Sequence, residues 1–262
     1  MSNALTLETM SPELLRVAKR ARREPKARFH SLAHLIDEAA LERAYGRQRE
    51  DAAVGVDGVT KKQYGQDLEV NLRDLYERLR AMRYRHQPIL RRHIPKEQGN
   101  KTRPIGISSF EDKLVQDALR ELLEAVYEQD FLQCSYGFRP GHSAHDALRA
   151  LDRTVYRGEV NCILEADIAS FFDSMDRSLL LEMLRERYPM GRFCGWSRSA
   201  CMWACWMARS FPRLNEEPPR ALCFLCFLAT SIFTMCLIGG SRTRLSHGCE
   251  ERCSLSAMRM IL

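Results

Sequence analysis

Cysteine and tryptophan are scarce over most of this chain. Of ten cysteines, only Cys134 and Cys162 precede residue 190, and all three tryptophans (Trp196, Trp203, Trp206) follow it. A disulfide framework is therefore not expected in the first 189 residues. The opening Met1-Ser-Asn-Ala lacks a charged start followed by an apolar core, so no secretory signal is expected. The expected location is the reducing cytoplasm, with the cysteines as thiols. Acid is scarce in the first thirty residues. There Arg16, Lys19, Arg20, Arg22, Arg23, Lys26 and Arg28 face only Glu8, Glu13 and Glu24. Such a cluster suits a phosphate backbone. A solvated helix face has the same composition.

What is there divides at about Pro189. Over the whole chain, 40 Lys and Arg against 34 Asp and Glu give a net charge of +6. Up to Pro189 the pattern is ordered. His30 to Tyr45 carries helical spacing through Leu32, Leu35, Ile36, Ala39, Ala40 and Ala44. Val54-Gly-Val-Asp-Gly-Val-Thr60 breaks it with two glycines. Leu68 to Met82 is helical again, and Ile89 to Pro95 is basic and strand-like. Gln98-Gly-Asn-Lys-Thr-Arg-Pro104 reads as a turn, with Ile105 and Ile107 on a returning strand. Ser109 caps the next helix with Asp112 as capping-box partner, and Leu114, Val115, Ala118, Leu119, Leu122, Leu123 and Val126 form its core stripe. Ser135 to Gly141 is an irregular loop, and Ala144 to Tyr156 is helical.

Two places carry chemistry. In the first, Cys162, Leu164, Ala166 and Ile168 alternate with Ile163, Glu165 and Asp167, the period of a half-buried strand. Asp167 then ends a strand on the face opposite the packed one. A hard oxygen ligand on a rigid element suits Mg²⁺-dependent phosphoryl transfer, although an Asp in this position is also a turn former or helix cap. Downstream, Asp176 can cap a helix running to about Arg187. In the second place, Lys96 and Arg103 flank a tight glycine turn, so both can reach one polyanion. A point charge with a planar fork suits a triphosphate. An exposed basic hairpin would read the same way.

Five strings in order then resemble a family. They are Gly55-Val-Asp-Gly-Val-Thr60, Ile94-Pro-Lys96 with Lys101-Thr-Arg-Pro-Ile-Gly-Ile107, Asp112-Lys-Leu-Val-Gln-Asp-Ala-Leu119, Ser135-Tyr-Gly-Phe-Arg-Pro-Gly-His-Ser-Ala-His145, and Glu165-Ala-Asp-Ile-Ala-Ser-Phe-Phe-Asp173. Their order and spacing are similar to those of group II intron reverse transcriptases/maturases, over about residues 10 to 189. The resemblance implies an α+β fold, a partial right-hand polymerase of fingers and incomplete palm. It implies RNA-directed DNA polymerisation and a maturase role on intron RNA. Its implied partners are intron RNA and template, a DNA primer or target, and dNTPs, with Mg²⁺ as cofactor. Asp167 would be the first palm carboxylate and metal ligand. Lys96 and Arg103 would grip the incoming nucleotide, and Arg139 would line the template and nucleotide cleft. Phe172 would screen the sugar 2′ position. Arg16, Lys19, Arg20, Arg22 and Arg23 would bind RNA. Relatives commonly carry a Lys where Ala169 stands, which removes a phosphate contact.

Residues 190 to 262 do not continue the resemblance, because no Tyr-x-Asp-Asp string occurs in the chain. Ala221 to Gly240 is apolar and long enough to span a bilayer, and Cys223, Cys226, His247 and Cys249 could be read as a zinc site. Neither is expected: the CxxC lies inside the apolar run, and the spacings fit no standard finger. A shifted reading frame explains more. Trp and Met have single codons, so their out-of-frame readings are nearly fixed. Joining the third base of each codon to the first two of the next, Glu217 to Ile238 permits TPQGSVLS and then NIYLHYVLD. Ser256 to Ile261 permits RYADD. These strings look like the missing palm motifs. The expected organisation is a basic extension (1–30), fingers and partial palm (31–189), and an aberrant, poorly packed or disordered tail (190–262). The chain is expected to be truncated and inactive alone, without a membrane anchor. The alternative is a non-catalytic RNA-binding remnant.

Overall fold

The computed structural model describes residues 10–30, 32–95, 102–158, 160 and 184–188, with the side chains of residues 102–104 not described. Helix α1 (Pro12–Arg23) starts where Ser11 accepts the Leu14 N–H at 3.4 Å and Pro12 occupies the first turn. Its Leu14, Ala18 and Ala21 are buried, one face at helical spacing.

The uninterrupted helical spacing expected over His30 to Tyr45 is instead broken in two. A short 3-10 turn spans Ala33–Leu35, and helix α2 runs over Glu38–Arg47. The physical reason is Asp37, whose carboxylate accepts the Ala40 N–H at 2.8 Å and so starts a new helix. The Gly55–Thr60 loop follows. Gly58 takes φ +66, and a Cβ on Gly55 would meet the Ser108 carbonyl oxygen at 2.3 Å, so a side chain at Gly55 is excluded. Thr60 and Gln63 form a capping box for the single-turn helix α3 (Lys61–Tyr64). Helix α4 (Leu68–Arg80) buries Leu72, Leu75 and Leu79.

Strands β1 (Leu90–Pro95) and β2 (Thr102–Ile107) pair antiparallel from Leu90↔Ile107 to Pro95↔Thr102. The returning strand thus starts at Thr102, inside the stretch expected to be turn. Helix α5 (Phe110–Tyr127) is central among the described residues, and α1 and α2 pack on it. All seven residues of its expected apolar stripe are buried. So are Asp112, Gln116, Asp117, Glu121 and Glu124, which leaves α5 buried nearly all round. Each fully buried Leu contributes roughly 1.5–3 kcal/mol. After the Ser135–Gly141 loop, helix α6 (Ala144–Tyr156) opens on a capping box of Ser143 and Asp146. It buries no residue.

Residues 184–188 return to the start of the chain. The Phe29 N–H donates to the Arg187 carbonyl at 2.8 Å. The Arg187 guanidinium donates to the carbonyls of Pro25 and Ala27 and to Asp130 at 2.7 Å. Tyr188 is buried with its ring centroid 6.3 Å from Phe29 and 5.9 Å from Tyr127. Among the described residues the architecture is therefore helical with one two-stranded sheet, a mixed α and β chain. The expected strand before Asp167, the Asp176 cap and the tail lie outside the described residues, apart from a helical turn at 184–187. No helix among the described residues is long and apolar enough to cross a membrane. The apolar run Ala221 to Gly240 lies outside them.

Candidate nucleic-acid interface

The burial of Leu14, Ala18 and Ala21 fixes which side of α1 faces outward. Arg16, Lys19, Arg20, Arg22 and Arg23 are all exposed. Arg16 pairs with Glu13 at 3.1 Å, and Arg20 pairs with Glu24 at 3.5 Å while lying over the Phe29 ring. Among the described residues Lys19, Arg22 and Arg23 have no carboxylate partner, so their charge is open to a polyanion. Lys26 and Arg28 extend the basic surface beyond the helix, and Arg28 holds the Glu186 carbonyl at 3.2 Å.

The β1–β2 hairpin carries the second cation set. Arg103 lies on β2 opposite Ile94, two residues before Lys96. Lys96 lies outside the described residues, as does the Arg103 side chain. All of β1 past Leu90 is exposed, including Arg91, Arg92 and His93.

The base of this hairpin is built around Asp112. One carboxylate oxygen accepts the Tyr84 hydroxyl; the other accepts the Ser109 hydroxyl at 2.6 Å and the Gln87 N–H at 3.1 Å. Ser109 does cap α5, accepting the Asp112 N–H at 3.3 Å. The Asp112 carboxylate, however, reaches further than a capping box requires. Burial pushes its pKa up, against the lowering effect of these hydrogen bonds and of the nearby His86 charge. The Tyr84 hydroxyl is pushed well above its ordinary range by burial and by Asp112. Asp57, from the glycine-rich loop, accepts the Phe110 N–H at 2.8 Å and ties that loop to the same corner.

Arg139 is described, and its donors are engaged within the protein. Nε and an Nη bind Glu128 at 3.0 and 2.7 Å, and the other Nη binds the carbonyls of Leu132 and Ser135. The guanidinium lies 5.1 Å from the Phe131 ring centroid. In this arrangement it holds the Leu132–Arg139 loop in shape. Its neighbour Phe138 takes φ +58, a left-handed conformation costly for a side chain of this size, and stands half exposed.

Asp167 and Phe172 lie outside the described residues. Among the described residues no group of three or more His, Cys, Asp or Glu could hold a metal ion. The possible zinc ligands of the tail are outside them as well.

Sequence reading missed the charged seam beneath this surface. Arg47 binds Asp117 at 2.6 Å and Glu121 at 2.9 Å, Arg43 binds Glu121 at 3.1 Å, and Arg120 binds Asp117 and Glu124. The signal was available: Arg43 and Arg47 are four apart, as are Asp117 and Glu121, a complementary pair of helix faces.

Residues 94–215 match the family model described as reverse transcriptase (RNA-dependent DNA polymerase). That segment contains Lys96, Arg103, Arg139, Asp167 and Phe172, whereas basic helix α1 precedes it. The chain is 38% identical over 144 residues to protein YkfC of Escherichia coli (strain K12), covering 53% of this chain and 37% of that one. It is 37% identical over 116 residues to the group II intron-encoded protein LtrA of Lactococcus lactis subsp. cremoris, 44% of this chain and 19% of that one. A shorter match, 37% over 62 residues, joins it to nuclear intron maturase 2, mitochondrial, of Arabidopsis thaliana, 21% of this chain and 8% of that one. The matched segment and these relatives make the chain similar to the group II intron reverse transcriptase/maturase family. The chain spans well under half the length of each of these relatives. Reverse transcriptases generally use divalent metals.

Proposed function

We propose that the chain is the fingers and partial palm of a group II intron RNA-directed DNA polymerase with an RNA-binding, maturase role. The right-hand arrangement, the DNA and dNTP partners and the residue roles are parts of this reading. The observation that carries it is the hairpin: an antiparallel ribbon exposed along β1 carries Arg103 on β2 and leads in sequence into Lys96, within a segment matched by the reverse transcriptase model. Lys96 and Arg103 would neutralise a triphosphate, and Phe172 would exclude a 2′-hydroxyl. The exposed cations of α1 would hold RNA by releasing counterions. Asp167 is the residue that would take Mg²⁺, whose chemistry is to stabilise attacking and leaving oxygens. A lone palm carboxylate falls short of the ligand number that such ions demand. No catalytic step is therefore assigned to the chain as translated.

The tail follows from the same reading. Tyr188 is packed against Phe29 and Tyr127, and the composition changes at about Pro189. A frameshift near codon 190 would leave the first part folded and scramble the palm motifs beyond it. The second reading is an RNA-binding remnant, favoured by the exposed Lys19, Arg22 and Arg23, which have no carboxylate partner among the described residues. Primer extension on an RNA template, beside a salt titration of RNA binding, separates the two. Extension lost in Asp167→Ala supports a working polymerase; salt-sensitive binding without extension supports the remnant. Binding that ignores salt would remove both assignments of α1.

A further inference from the structure

The β1–β2 hairpin is a two-stranded ribbon exposed along almost all of β1. Such a ribbon is marginal by itself and is not aimed by core packing. Its direction is set where its two ends are fastened. Gln87 stands three residues before the first residue of β1, and Ser109 stands two residues after the last residue of β2. Both are hydrogen-bonded to one oxygen of Asp112, on the first turn of α5. Tyr84, at the end of the connection from α4, bonds the other oxygen. Asp112 is 2% exposed, so water does not compete for these bonds.

We infer that Asp112 is a positioning residue: with Tyr84, Gln87 and Ser109 it pins both feet of the hairpin to α5 and so sets the direction of the ribbon that carries Arg103 and leads in sequence into Lys96, the positions proposed above to take a triphosphate. The inference deepens the hairpin reading above and rests on it for its ligand. The pin is distinct from the capping of α5, because Ser109 caps through its own hydroxyl. The carboxylate's other two partners, Tyr84 and Gln87, belong to the chain entering β1.

The test uses the full chain with Tyr84→Phe, which removes one bond at nearly constant volume, and Asp112→Asn, which keeps the shape. Amide hydrogen exchange over residues 87–95 and 102–107 reads the hairpin directly. Titration with a fluorescent dNTP and Mg²⁺ reads its use, and RNA binding through α1 controls for the fold. The expected result is exchange about tenfold faster in the hairpin of both variants, as expected for loss of a charge-assisted bond. Protection in α5 and RNA affinity stay unchanged, and dNTP affinity falls by a similar factor. Unchanged hairpin exchange in Tyr84→Phe and Asp112→Asn would overturn the pin, whatever the nucleotide does. Faster exchange with no dNTP binding even in the unmutated chain would uphold the pin and remove the triphosphate reading. Faster exchange with wild-type dNTP affinity would overturn the claim that the pin places the cations. If Asp112→Asn does not fold, Tyr84→Phe alone decides.

Discussion

Arg47 on α2 donates from Nε to Asp117 on α5 at 2.6 Å, and the Asp117 side chain has no solvent exposure. The same guanidinium reaches Glu121, and Arg120 holds Asp117 from the other side. Removing one member leaves buried charge uncompensated, whereas the intact network is close to neutral in stability. Arg47→Met is therefore expected to destabilise the chain by about 3–5 kcal/mol in denaturant unfolding. A loss below 1 kcal/mol would mean the seam is solvated in solution.

Glu124 should make stability depend on pH. Burial, with Asp117 and Glu128 nearby, pushes its carboxyl up to about 7 despite the Arg120 partner, and among the described residues its second oxygen has no hydrogen-bond partner. A carboxyl raised in the folded state binds its proton more tightly there than in the unfolded chain. Its contribution thus falls as pH rises from about 4.5 to about 7, by up to about 3 kcal/mol. Comparing Tm between pH 5 and 8, Glu124→Gln should show a flatter dependence than the unmutated protein. An identical slope would exclude Glu124 as the source.

Arg139 is not replaceable by another cation. Its fork serves Glu128 and two backbone carbonyls at once. Lysine cannot reproduce that geometry. We expect Arg139→Lys to loosen residues 132–141 by about 2 kcal/mol, seen as faster proteolysis of that loop. Protease resistance equal to the parent would show that the loop is held elsewhere.

Phe138 stores strain beside it. Glycine accepts φ +58 without penalty, so Phe138→Gly should raise stability by about 1 kcal/mol. If the exposed ring serves nucleic acid, RNA affinity should fall in the same variant. A rise in Tm with unchanged RNA binding would leave the ring without that role.

The reading frame is checked by nucleotide sequencing. We expect a single-base insertion or deletion near codon 190 to restore a Tyr-x-Asp-Asp string, and the repaired gene to yield RNA-templated extension. A gene in which no such change restores the string would refute the frameshift.

Much of the local structure was legible in the sequence because local signals set it. Leu114 to Val126 gave the α5 stripe, Ser109 its cap, and Ala144 to Tyr156 a helix with those bounds. The break at Asp37 was missed because the apolar spacing runs through it, while one side-chain cap outweighs that spacing. The charged seam was missed because the matching four-residue spacings of Arg43/Arg47 and Asp117/Glu121 do not say that these two helices meet, and burial of Asp117, Glu121 and Glu124 depends on where α2 lands. No spacing within α5 fixes that.

The sequence by itself determined the family resemblance, through motif order, and the positions of its cations, through residue type. Tertiary structure alone decided which of those charges are paired among the described residues. Arg22 stays outward because Ala21 is buried, whereas Arg139 and Arg47 are spent inside the protein. The reason is that a charge's partner is chosen by packing between distant segments, and chain-local patterns do not record it.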